Sequence, residues 1–139
     1  MKNHLWQIDL KSSTKGLFHQ HQFYKKNIVV FNSASLCGFT EQLSAFEDMY
    51  RIGKIIPIAI PTNNFGNQEP GNVLEINQYY NKKFKVTFPI VDKTDISHDF
   101  FKTFGTPTWN FNKWLFNKEH NLIMKFDSNV EPKEISTYV

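Results

Sequence analysis

Two short apolar runs, "NIVVF" at residues 27–31 and "IIPIAI" at 55–60, constrain this chain more than any other feature. A strand with one wet face alternates apolar and polar residues, so consecutive apolar positions read as strands covered on both faces. Between the runs the period changes. Leu43, Phe46 and Tyr50 fall on one face of a helix, with Thr40 placed to act as its N-cap, Glu41 near the positive end of its dipole and Gly53 to end it. "PTNNFGNQEPG", residues 61–71, then reads as a long loop, and Val73, Ile76, Tyr80 and Phe84 make the stripe of a second helix. The remainder predicts an extended "VTFPIV", a short helical segment around Phe100 to Phe104, strands "KWLF" and "LIMKF" about the turn "NKEHN", and a short helix from Pro132. Strand, helix, strand, helix is the order of an α/β fold with parallel strands and helices packed on the sheet. Sites in such sheets gather outside the carboxyl ends of the strands. The loops that follow the two apolar runs therefore meet at one edge.

Composition narrows the function. The chain has 139 residues, 40% of them hydrophobic and 16% aromatic, with 14 Phe, which suffices for the core of a single domain spanning 1–139 without metals or disulfides. A net charge of +3, from 16 basic and 13 acidic residues spread without blocks, gives no reason to expect nucleic acid as partner. One cysteine excludes an internal disulfide, and "MKNHLWQIDLKSSTKGLF" lacks the apolar core of a secretory signal, so a reducing, cytoplasmic setting is expected. "IIPIAI" is too short to cross a bilayer. His19 and His21 stand two apart, as on a strand face, with no acidic or cysteine ligand to complete a metal site; the five histidines read as polar surface.

The lone cysteine lies in "NSASLCGFTEQL", residues 32–43. Free cysteine is among the most buried residue types, so one reading of Cys37 is a small core hydrophobe. The other is a reactive thiol. Cys37 follows a strand and precedes a helix N-terminus, where the dipole and unpaired N–H groups stabilise a thiolate, and that placement favours the reactive reading.

"NSASLCGFTEQL", "PTNNFGNQEPG", "VTFP" and "WNFNKWLF" resemble, in order and nearly in spacing, the signature segments of the glutathione peroxidase family, over a span from about Trp6 to Pro132. The resemblance implies a thioredoxin-like fold, with a central mixed β-sheet flanked by helices, and reduction of hydroperoxides at a cysteine or selenocysteine. It places the peroxidatic position on Cys37, the glutamine of the family's loop on Gln68, and the family's Trp-Asn pair on Trp109 and Asn110. It implies no bound cofactor or metal, with glutathione or a thioredoxin-like protein as reducing co-substrate. The family's tetramer-forming loop has no counterpart here, which leaves a monomer or small homo-oligomer.

These residue types suit that chemistry. A thiolate attacking one peroxide oxygen needs hydrogen-bond donors for itself and for the departing oxygen, and the Gln68 and Asn110 amides and the Trp109 indole donate without carrying charge. Apart from the resemblance, a tryptophan among aromatics is core packing, and a loop Gln or Asn turns the backbone. Phe39, Phe65 and Phe111 read as packing. Thr106–Pro107, in "GTPT", is a candidate cis bond with no assigned role. Lys113, Lys118 and Lys125 read as a solvated basic face, with a rim for glutathione carboxylates or anionic lipid as the second reading.

Some family members carry a second, resolving cysteine in the helix after the glutamine loop; this chain has Tyr80 at or near that position, so no internal disulfide cycle is available. The alternative to a peroxidase is a non-catalytic thiol redox sensor or relay oxidised at Cys37.

Overall fold

A computed structural model describes residues 3–139; Met1 and Lys2 of the expected 1–139 domain lie outside the described residues. After a 3₁₀ turn at Leu5–Gln7 comes a small hairpin, β1 (Lys11–Ser12) and β2 (Gly16–Leu17), which the periodicity did not signal. Then come β3 (Asn27–Ser33), α1 (Gln42–Ile52), β4 (Ile55–Pro61), α2 (Val73–Phe84), α3 (Asp99–Phe104), β5 (Lys113–Phe116), β6 (Leu122–Phe126) and α4 (Pro132–Ile135). The main sheet has the order β4-β3-β5-β6, with β3 and β4 parallel and the other two pairs antiparallel.

Every residue of β3 and β4 is buried, because the sheet is covered on both faces. Ile28 and Val30 of β3 join Ile56, Ile58 and Ile60 of β4, Trp114, and α3 on one side, where the N-terminal Leu5, Ile8 and Leu10 complete the layer. Val29 and Phe31 point the other way, onto α1, α2 and α4 through Leu43, Phe46, Tyr80, Phe84 and Ile135. Phe31 stacks on Phe46 at 3.9 Å between ring centroids and on Phe111 at 5.7 Å, joining β3 to α1 and to the segment before β5.

Thr40 does not cap α1, which starts two residues later through a tight turn; its hydroxyl is engaged on the preceding loop instead. Gly53 does end the helix, in the left-handed conformation at φ 88° that favours glycine. "VTFPIV" is extended but meets β4 only through an isolated bridge, Ile90 opposite Ala59, with a second just beyond both, Thr94 opposite Thr62, since Pro89 has no N–H for a continuous ladder. The Thr106–Pro107 bond is trans.

The histidines are not uniformly surface residues. His19 and His21 are exposed, on a 3₁₀ turn rather than a strand. His120 is buried because it ties three segments together: Trp6 Nε1 donates to its Nδ1 at 2.9 Å, which leaves Nε2–H for the carbonyls of Phe23 and Lys26 at 3.0 and 3.1 Å. His98 is half-buried and accepts from Phe100 N–H at the start of α3.

Lys118 and Lys125 are exposed, but Lys113 is fully buried and belongs to no basic rim. Its Nζ donates to the carbonyls of Ser128 and Val130 at 2.8 and 2.6 Å, holding the chain before α4 against the start of β5. Burial lowers its pKa to about 7, against the opposing pull of Glu131, Glu134 and Asp127. An unfolded lysine titrates near 10.4, so from about pH 7 to that value the unfolded state holds the extra proton and folding gains stability as pH rises. Urea midpoints measured across that window are expected to rise for wild type relative to Lys113→Met. A difference between the two proteins that does not vary with pH would refute this titration.

Candidate active site

Cys37 sits four residues past β3 in a loop held by one hydroxyl. Thr40 Oγ1 accepts from Cys37 N–H at 3.0 Å and donates to Ala34 O at 2.8 Å, and Thr40 N–H returns to Cys37 O at 3.1 Å. The thiol is half-buried, and Phe39 N–H donates to its sulfur at 3.4 Å. A charged acceptor takes such a hydrogen bond more strongly than a neutral one. Cys37 is therefore neither a sealed core residue nor a loose surface one.

Gln68 and Asn110 meet directly. Asn110 is fully buried, and its Nδ2 donates to Gln68 Oε1 at 3.0 Å and to Phe65 O at 3.3 Å. The Phe65 carbonyl fixes which end of the Asn110 amide faces it, and that orientation fixes Gln68 in turn. With Gln68 Oε1 occupied, Gln68 Nε2 is the donor without a partner among the described residues, as is the Trp109 indole N–H. Asn110 thus spends its own donors on Gln68 and Phe65, and its buried Oδ1 accepts nothing among the described residues. Trp109 is 37% exposed and meets Phe65 edge-on at 5.8 Å. Gly66 permits this approach: at φ 68° a Cβ there would lie 3.2 Å from the Trp109 ring.

Asn32, at the carboxyl end of β3, joins the Trp109 segment to the sheet. Its Nδ2 donates to Trp109 O at 2.9 Å, its Oδ1 accepts from Asn112 N–H at 3.0 Å, and its main-chain carbonyl accepts from Phe111 N–H at 2.6 Å. Leu36 N–H donates to Gln68 O at 3.0 Å, which fastens the Cys37 loop to the Gln68 loop. The two loops expected to meet do so, and the Trp109 segment joins them through Asn32, although Sγ makes no hydrogen bond to the Gln68, Trp109 or Asn110 side chains among the described residues. Phe111 is buried and Phe39 packs partly against the α1–α2 layer.

Residues 5–105 match the family described as glutathione peroxidase. The glutathione peroxidase-like peroxiredoxin gpx1 of Schizosaccharomyces pombe is 32% identical, over 96% of this chain and 94% of its own length. The chain belongs to the glutathione peroxidase family. It is accordingly a peroxidase-type oxidoreductase. The glutathione peroxidase homolog BsaA of Staphylococcus epidermidis is 33% identical, over 89% of each chain. T. cruzi GPX1 superimposes with a TM-score of 0.71 at 18% identity, covering 97% of this chain and 93% of that one. A thioredoxin family thiol:disulfide interchange protein of Chlorobium tepidum superimposes at 0.67 with 12% identity, covering 94% and 88%. The fold is thioredoxin-like, with the expected mixed sheet flanked by helices.

Beneath the peroxidase loops lies a polar cluster that sequence reading missed. Glu69 is 1% exposed; Ser35 Oγ donates to its Oε1 and the Tyr80 hydroxyl to its Oε2, each at 2.5 Å. Tyr80, expected only as part of the buried stripe of α2, also bonds Ser33 Oγ at 2.7 Å. The available signals were the hydroxyls of "NSAS" and the carboxylate of "QEP", but their pairing spans 34 residues of sequence. Among the described residues no three His, Cys, Asp or Glu are grouped to hold a metal ion, and no helix is long and apolar enough to cross a membrane.

Proposed function

We propose that the chain is a one-cysteine peroxidase reducing hydrogen peroxide or organic hydroperoxides through a Cys37 sulfenic acid, reduced in turn by glutathione or a thioredoxin-like protein in a reducing compartment. The observation that carries the proposal is the shared anchoring of two groups. Cys37, with Phe39 N–H on its sulfur, lies in a loop bonded at Leu36 to Gln68, whose amide Asn110 turns so that Nε2 is free to donate. The Cys37 thiolate attacks one peroxide oxygen; the S–O bond forms as O–O breaks, and the departing alkoxide or hydroxide takes up a proton. Sulfur loses two electrons and the peroxide gains them. Gln68 Nε2 and the Trp109 indole are the neutral donors for the charge that develops.

No second cysteine exists in the chain, so an outside thiol must complete the cycle. One thiol condenses with the sulfenic acid, releasing water and leaving a mixed disulfide; a second attacks that disulfide and frees Cys37. NADPH-coupled peroxide consumption with a glutathione system and with a thioredoxin system tests turnover and names the donor. Intact-mass spectrometry tests the intermediate: a single glutathione adduct when glutathione is limiting, and a sulfinic acid when no thiol is present. Neither modification at Cys37 would reject the cycle, and a Cys37–Cys37 disulfide between chains as main product would favour the sensor.

A further inference from the structure

Glu69 is a carboxylate buried without a cation in contact: the ion pair formed among the described residues is Arg51–Glu47, far along α1. Burying such a group is unfavourable unless its partners hold it. Its partners are two hydroxyls from different elements, Ser35 on the Cys37 loop and Tyr80 on α2, while its own N–H donates to Asn63 Oδ1 at 2.8 Å. Gln68, the neighbouring residue, accepts from Leu36 N–H, and Leu36 directly precedes Cys37. Residues 35 and 36 are thereby bound to residues 69 and 68, one pair by a side chain and the other by main chain.

We propose that Glu69 is a positioning residue for the peroxidase reaction: by bridging Ser35 and Tyr80 it holds the Cys37 loop in register with Gln68. The inference rests on the peroxidase reading above. It explains why an ionisable group occupies this place. A carboxylate receives both hydroxyls at once, whereas a protonated carboxyl or an amide receives one and keeps the other only by donating to it, which reverses that bond. The groups that face Glu69 are Tyr80 and Glu75 of α2, the latter across a cavity of about 150 Å³ that both line, and Lys93, whose Nζ is engaged by Gly71 O at 2.8 Å. Burial raises the Glu69 pKa above the ordinary carboxylate range, against the lowering effect of the Ser35 and Tyr80 hydrogen bonds and of Lys93.

Two reactions of Cys37 separate positioning from mere support. Alkylation by iodoacetamide needs only an accessible thiolate, whereas oxidation by hydrogen peroxide also needs the sulfur in register with the Gln68 donor. Glu69→Gln, nearly the same shape, is expected to slow oxidation by about tenfold or more, within the ~10² that ångström-scale misplacement costs, while alkylation changes little. Ser35→Ala should produce a similar loss, and the double variant should lose no more than the worse single one, because both remove one bridge. In wild type the ratio of oxidation to alkylation rate should fall as pH drops through the Glu69 titration; in Glu69→Gln it should be flat. Wild-type ratios in both single variants would overturn the proposal, as would losses that vanish once rates are normalised to the folded fraction. If Glu69→Gln does not fold, Ser35→Ala and Tyr80→Phe carry the same comparison. Should wild type itself fail to react with peroxide, the peroxidase reading falls instead.

Discussion

Cys37→Ser is expected to consume no peroxide and to keep the wild-type fold and nearly its thermal midpoint. Serine is not appreciably ionised near neutrality, and its oxygen cannot pass through a sulfenic acid. The fold should tolerate the change because the loop's bonds do not depend on sulfur: Thr40 Oγ1 holds the Cys37 N–H and the Ala34 carbonyl, and Phe39 N–H can donate to a serine oxygen. The site is half-buried, so the smaller side chain leaves no sealed cavity. Coupled assays and thermal melts on the same preparation provide the check. Activity near wild type in the serine protein would end the mechanism.

The next largest effects belong to the donors. Gln68→Ala, Trp109→Phe and Asn110→Ala should each slow Cys37 oxidation, by up to the ~10²–10³ that loss of one preorganised donor costs. The geometry separates their routes. Gln68 and Trp109 lose a free donor directly, whereas Asn110 acts through Gln68, whose Oε1 it holds at 3.0 Å. Asn110→Ala combined with Gln68→Ala should therefore cost little more than Gln68→Ala alone. Asn110→Asp presents oxygen where Nδ2 stood, so the Gln68 amide turns its own donor toward the new carboxylate, and oxidation should slow without a cavity having formed. Stopped-flow oxidation rates at wild-type speed in all these variants would make the cluster structural only.

The legibility of this chain followed the range of the interactions involved. β3 and β4 were readable because burial on both faces writes an uninterrupted apolar run, and α2 because Ile76, Tyr80 and Phe84 keep the helical period. The start of α1 was misread because Thr40 has one hydroxyl, and the loop around Cys37 uses it. Lys113 looked like surface since lysine is rarely buried, and its acceptors are carbonyls 15 and 17 residues away, past a β-turn and a strand. At the site, the four side chains could be picked out from motif order, but not which end of each amide is free. That depends on the Phe65 carbonyl, 45 residues from Asn110. The Glu69 bridge was hidden for the same reason.

The outer edge of β4 bears on how copies of this protein can meet. Ala59 uses both of its main-chain groups there, N–H to Pro89 O at 3.1 Å and carbonyl from Val91 N–H at 2.8 Å, and Pro61 O accepts from Thr94 N–H at 3.0 Å. Residues two apart along a strand turn their main chain to the same side, which puts Pro57, Ala59 and Pro61 together on this border. Two of the three have no N–H at all, and the third has already spent its own. An open strand ordinarily recruits neighbours by offering a row of donors, the route by which sheets extend into fibres. Along these positions the border has none to offer. A crowded solution of this protein thus meets no row of donors along Pro57, Ala59 and Pro61, and a lasting encounter at this stretch draws chiefly on side chains.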